Sequence, residues 1–217
     1  MIKQVLVSTV LVLAVGGTAG ACTAESLSPT ASTPTTRLAT LTIRPAALTS
    51  VPADITTAFA IDGDPDRDRP LGSRCSLRSL VISGQGTHGH GDTGGLCGTA
   101  TSGDWTPLLG GPVAHDPTTL DIGYVIPLAE AWRSGANQPD FDRAAFATDP
   151  TWERTVITPG SDQARGDHAP DAWQPAASAQ CHYVGAWINA KWAWHLSMTQ
   201  AEHDAFAAAL ATCLPTP

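Results

Sequence analysis

Cysteines in an exported chain constrain this sequence more than any other feature. The 217 residues include five cysteines, at 22, 75, 97, 181 and 213. Lys3 opens the chain, the apolar run Val5 to Val15 follows, and the small residues Ala19-Gly20-Ala21 precede Cys22. The run is too short to span a bilayer as a mature helix, and its flanks make residues 1–21 a secretory signal peptide. Small residues directly before a cysteine resemble a bacterial lipobox. Cys22 would then be a diacylated first residue that anchors the protein in the cell envelope. Ordinary cleavage near Ala21, with Cys22 a spare thiol and the protein secreted, is the alternative. Lipidation also explains the odd cysteine count. Four cysteines then remain in a compartment where disulfides persist.

Four cysteines allow three pairings. The C-terminal pattern selects one. Tyr183, Val184, Trp187, Ile188 and Lys191 recur at helical spacing within Ser178 to Trp194. Thr199-Gln-Ala-Glu202 forms a capping box that starts a second helix, reaching Thr212 with Phe206 and Leu210 on its apolar stripe. A short link makes the two helices antiparallel. Cys181 then lies near the start of the first and Cys213 at the end of the second, side by side. The expected bridges are Cys181–Cys213 and, by remainder, Cys75–Cys97.

Thr23 to Thr40 is mostly Thr, Ser, Pro and Ala, too poor in large apolar residues to offset chain entropy. Residues 22–54 therefore read as a tether, and 55–217 as one domain. Leu41, Ile43 and Phe59 could add an edge segment. Net charge is −8, and loss of Lys3 with the leader makes it −9. That balance disfavours a broad nucleic-acid-binding face.

Two polar clusters suggest metals at first sight. Asp62, Asp64, Asp66 and Asp68 form a ladder like the first half of a calcium loop, but Arg67 and Ser73 stand at its sixth and twelfth positions. A solvated acidic turn is the expectation. His88, His90 and Asp92 lie in a glycine-rich loop that preorganises no ligand set. No G-x-S-x-G, Walker, H-E-x-x-H or C-x-x-C pattern occurs. Between Leu120 and Trp173 the chain reads as a strand stopped by Pro127, a helix ended by Gly135, a helix capped by Asp140, a strand Thr155–Thr158 and a turn from Pro159 to Asp167.

These residues carry a resemblance. Gly123-Tyr-Val-Ile-Pro-Leu-Ala-Glu-Ala-Trp-Arg-Ser-Gly-Ala136 is similar to the D-H-V-V-P-L-A-E-A-W-x-S-G-A segment of secreted HNH-type endonuclease-like proteins. That family is related to the C-terminal domain of the GmrSD restriction enzymes. Ser161-Asp-Gln-Ala-Arg-Gly-Asp-His-Ala-Pro-Asp-Ala-Trp173 resembles its S-N-R-x-K-G-D-x-x-P-x-x-W segment. Cys181, Tyr183, Trp187, Lys191, Trp194 and Leu196 match its C-terminal pattern, as do Cys75 with Arg78 and Ser102-Gly103 with Trp105 upstream.

The resemblance implies an α+β fold: a small sheet with a ββα-metal centre, closed by the disulfide-clamped helical hairpin. Trp132, Trp173, Trp187, Trp192 and Trp194 are expected to pack or rim it. In such nucleases a His deprotonates water beside a divalent ion. Here the Asp-His pair is Gly123-Tyr124, the Asn is Asp162 and the Lys is Arg165. Glycine offers no ligand, and tyrosine titrates too high to be a base at neutral pH. The expectation is a nuclease frame without its chemistry, a monomeric binding or envelope module with no cofactor. The alternative is a relocated magnesium, manganese or zinc site built from Asp121, Asp162, Asp167 and His168, with His115 or His168 as base.

Overall fold

The computed structural model describes residues 33–45, 50–91, 97–98 and 100–213. The leader, Cys22, the first part of the tether and Asp92 lie outside the described residues. Among the described residues the fold is mixed α/β, with three two-stranded sheets and two disulfides. Among the described residues no helix is long and apolar enough to cross a membrane.

Packing begins earlier than composition suggests. Thr33 accepts from the Thr36 amide, and Pro34 occupies the first turn of α1 (Pro34–Leu38). A hydroxyl cap followed by proline suits a helix start, so the Thr/Pro content that reads as tether here nucleates structure. Leu38 is buried in the main core, and Arg37 donates to Asn189 (2.7 Å) while stacking on Trp192. β1 (Ile43–Arg44) then pairs in parallel with β6 (Met198–Thr199). Residues 33–44, expected as tether, therefore belong to the folded body, as does α2 (Ile55–Ala58).

α3 (Leu77–Gln85), capped by Ser76, leads into the antiparallel hairpin β2 (Thr87–Gly91) and β3 (Ala100–Asp104). Cys75–Cys97 ties the chain before α3 to this hairpin's loop. β4 (Asp121–Tyr124) pairs antiparallel with β5 (Arg154–Ile157), Asp121 opposite Ile157 and Tyr124 opposite Arg154. This ribbon separates two apolar clusters. Ile122 and Val156 join Leu77, Val81, Ile82 and Trp105 on the α3 side, while Ile157 and Val125 join the main core. Trp105, absent from the expected set, is fully buried and donates to the Ile82 carbonyl (2.9 Å).

Between the strands lie α4 (Leu128–Ala131), running on into a π-helical turn over Trp132–Ala136, and α5 (Arg143–Ala147). Gly135 turns the chain with a φ of 131°, which side chains resist. The cap of α5 is Asp142 rather than Asp140, because its carboxylate reaches the Ala145 amide (3.0 Å). The segment after β5, expected as a turn, is the short helix α6 (Ser161–Arg165). Gly160 enters it through a left-handed conformation, and Asp162 sits favourably in its first turn.

α7 (Ala177–Ala193) and α8 (Gln200–Thr212) form the expected hairpin, with the Thr199–Glu202 capping box in place. Cys181–Cys213 joins its open end. Tyr183, Val184, Trp187 and Ile188 bury one face of α7 at the centre of the main core, with Trp187 completely buried. Trp132, Trp173 and Trp194 pack half-buried around that core, while Trp192 is exposed. The bridge spans 32 residues. Chain-entropy reasoning for such a loop gives about 3–4 kcal/mol. Replacing Cys181 and Cys213 together by Ser should lower unfolding free energy by that amount in urea titration.

Candidate functional site

β4, β5 and α6 place the residues singled out by sequence. Alternation along β4 sends Asp121 and Gly123 to one face and Ile122 and Tyr124 to the other. α6 lies over the first face. A Cβ built on Gly123 would fall 3.0 and 3.1 Å from the two Asp162 carboxylate oxygens and 2.7 Å from Ile157 Cδ1. The glycine thus makes the room that Asp162 fills.

Asp121 and Asp162 line one shallow cleft of about 320 Å³ together with Asp66, Arg78, Ile157 and Gln163. Burial raises the Asp162 carboxyl above its ordinary range, against the opposing pull of Arg165. Arg165 is buried. Its guanidinium donates to the carbonyls of Tyr124 and Val125 (2.8 Å each) and to Asp162 Oδ1 (3.0 Å). It braces α6 against the end of β4 rather than facing solvent as a free cation. Arg78 donates to the Pro117 and Leu120 carbonyls, fixing the entry to β4.

Tyr124 points away from the cleft. Its ring stacks on the Arg154 guanidinium at 3.9 Å, and its buried hydroxyl has no hydrogen-bond partner among the described residues. Burial pushes that hydroxyl further above neutrality. Asp167 and His168 are exposed and do not line the cleft; His168 Nδ1 contacts the Arg165 carbonyl instead (2.8 Å). His115 is also elsewhere, its Nδ1 2.6 Å from Asp104 on β3. His88 reaches the other oxygen of the same carboxylate (3.2 Å) from a left-handed backbone position. The hydrogen bond from His115 is the main reason the Asp104 carboxyl is held low.

The structure therefore brings together Asp121 and Asp162 and leaves Asp167, His168 and His115 apart from them. Among the described residues no group of three His, Cys, Asp or Glu side chains is placed to hold a metal ion. Of the three carboxylates that line the cleft, Asp162 is bonded to Arg165 and Asp66 faces Arg78 (3.9 Å), which does not make the donor set of a ββα-metal centre. The Asp62–Asp68 ladder satisfies itself: Asp68 accepts from the amides of Asp62 and Gly63, and Arg67 pairs with Asp62 and Asp64.

The most motif-like residues serve a different purpose. Glu130 and Ser134, one turn apart, face inward and meet Lys191 of α7. The Lys191 ammonium lies 3.3 Å from Glu130, 3.0 Å from Ser134 Oγ, 2.9 Å from the Ser197 carbonyl and 2.7 Å from Glu202. Arg44 of β1 donates to Glu130 (2.9 Å), and Trp187 donates its indole N–H to Glu202 (2.6 Å). Asp66 and Arg78 complete the cleft from far along the chain, and no local pattern marks their convergence with Asp121.

The fold and its bonds define a disulfide-stabilised, mixed α/β domain. No family model matches the chain, and no solved structure does. It is 34% identical over 146 residues to an uncharacterized secreted protein of Arthroderma benhamiae, a match covering 66% of this chain and 70% of that one. The chain belongs to the family of that secreted protein.

The pairing of Gly123 with Asp162 has a direct test. Gly123→Ala should destabilise by about 1–2 kcal/mol through overpacking, read as a shift in urea midpoint. Adding Asp162→Ala to Gly123→Ala should recover part of the loss by vacating the contact.

Proposed function

We propose that this protein is a lipid-anchored component of the cell envelope whose domain is a catalytically silent relative of HNH-type nucleases, acting as a binding module. The observation that carries this reading is the state of Tyr124. It stands where the family places its general base, yet its ring is stacked on Arg154 and burial raises its hydroxyl pKa. A phenol so held takes no proton from water near neutrality. Gly123 contributes no ligand, and Asp162 is engaged by Arg165. The acidic chain opposes approach of a polyanion. Lipidation at Cys22 supplies the anchor in this reading, and the residues after it hold the body off the membrane.

A second reading rests on the shared cleft of Asp121 and Asp162. It makes the protein a divalent-metal-dependent endonuclease with a relocated site around Asp162, for which Asp167 and His168, now outside the cleft, would have to move in. Incubation of the mature protein with DNA and with RNA, in magnesium, manganese or zinc, separates the two. The first reading predicts no cleavage above a buffer control. Metal-dependent cleavage lost in Asp162→Ala and His168→Ala would overturn it in favour of the second.

A further inference from the structure

A large concavity among the described residues lies away from the acidic cleft. It is an open groove of about 1020 Å³ running from the β2–β3 hairpin, past the outer edge of β5, to α7 and α1. Its size is at the upper end for ligand sites and suits several units of a polymer. Its walls are more apolar than polar, and the polar part is mostly neutral hydroxyl and amide groups. Among the described residues the Thr35, Thr106 and Thr151 hydroxyls make no side-chain hydrogen bond and remain available to a ligand. Asn189, whose side-chain oxygen already accepts from Arg37, adds an amide NH2, and half-buried Trp152, with the Arg37 guanidinium over its ring at 5.4 Å, adds an aromatic wall.

Charge and edge chemistry narrow the occupant. Asp104 and Arg154 are the two lining residues that carry a formal charge. Arg154 is buried and stacked on Tyr124, so it offers no cradle to a phosphate chain. An extended peptide would need an open strand edge. The outer edge of β5 is already closed. The Gln85 amide donates to the Arg154 carbonyl (2.8 Å) and accepts from the Val156 amide (3.1 Å), and the Leu108 amide donates to the Val156 carbonyl (3.0 Å). A greasy helix would leave the threonine hydroxyls unpaired. What fits is a ligand with neutral hydroxyls along its edges and apolar C–H faces to lie on an indole.

We infer that this groove binds a segment of a neutral polysaccharide. An extracytoplasmic domain meets such chains, and this site is independent of the nuclease-like reading of the acidic cleft.

Calorimetric titration of the mature protein with cellohexaose, laminarihexaose, chitohexaose and mannohexaose tests the inference, with hexauridylate and hexagalacturonate as charged comparators. At least one neutral hexasaccharide should bind with a Kd on the order of 0.1–1 mM, and the charged oligomers should bind more weakly. Thr106→Trp, which fills the groove from an exposed position, should weaken that binding roughly tenfold or more, while the distant Leu71→Ser leaves it unchanged. Thr106→Ala with Thr151→Ala removes two free hydroxyls without adding bulk and should also weaken it. Three results would each overturn the inference. One is no neutral hexasaccharide bound at millimolar concentration. Another is binding indifferent to both groove variants. The third is tighter binding of hexauridylate than of any neutral probe.

Discussion

Burying one ammonium sets the terms for the rest of this structure. Lys191 has no exposed surface, and an isolated charge there would cost several kcal/mol in desolvation. It is tolerated because Glu130, Ser134, Ser197 and Glu202 converge on it from three stretches of chain. Glu202 belongs to the capping box of α8, so the residue that starts that helix also compensates the charge of α7. Glu130 is shared with Arg44, which β1 brings in by pairing with β6. Two acids and two bases thus lock the N-terminal strand, the helix after β4 and the C-terminal hairpin to one another. Burial still raises the Glu202 carboxyl despite Lys191 beside it.

With the body so fixed, the β4–β5 ribbon is a partition between two apolar clusters. Its acidic face follows from one small residue: glycine at 123 opens the space that the Asp162 carboxylate enters. Arg165 then holds α6 to the ribbon through two backbone carbonyls and that carboxylate. Arg165 and Asp162 are thus turned inward as braces. Glu153 shows the same tendency. It is fully buried, accepts from the Ile126 amide, and burial lifts its carboxyl well above the ordinary range.

Much of the C-terminal half was legible in the sequence because its signals are local. The capping box at Thr199, the helical spacing through Tyr183 and Trp187, and the resulting cysteine pairing all emerge as written. The N-terminal limit was not. Thr33-Pro34 reads as linker by composition, and only its docking on α7 reveals a capped helix. α6 was hidden for a similar reason: five residues between glycines carry little helical signal until Arg165 finds its carbonyls. The motif around Glu130 was visible as a pattern, but the direction of Glu130 and Ser134 depends on Lys191, 61 and 57 residues away. The large groove has no sequence signature, since its hydroxyls come one at a time from five elements and loops.

The most direct test of this account is the stability of Lys191→Met by chemical denaturation. Removing the cation strands the buried Glu202 carboxylate and leaves Glu130 to Arg44 alone, and a loss of about 3–5 kcal/mol is expected. Adding Glu202→Gln, which neutralises the stranded carboxylate while Glu130 keeps Arg44, should return much of it. A Lys191→Met protein as stable as the parent would contradict the claim that this buried network organises the fold.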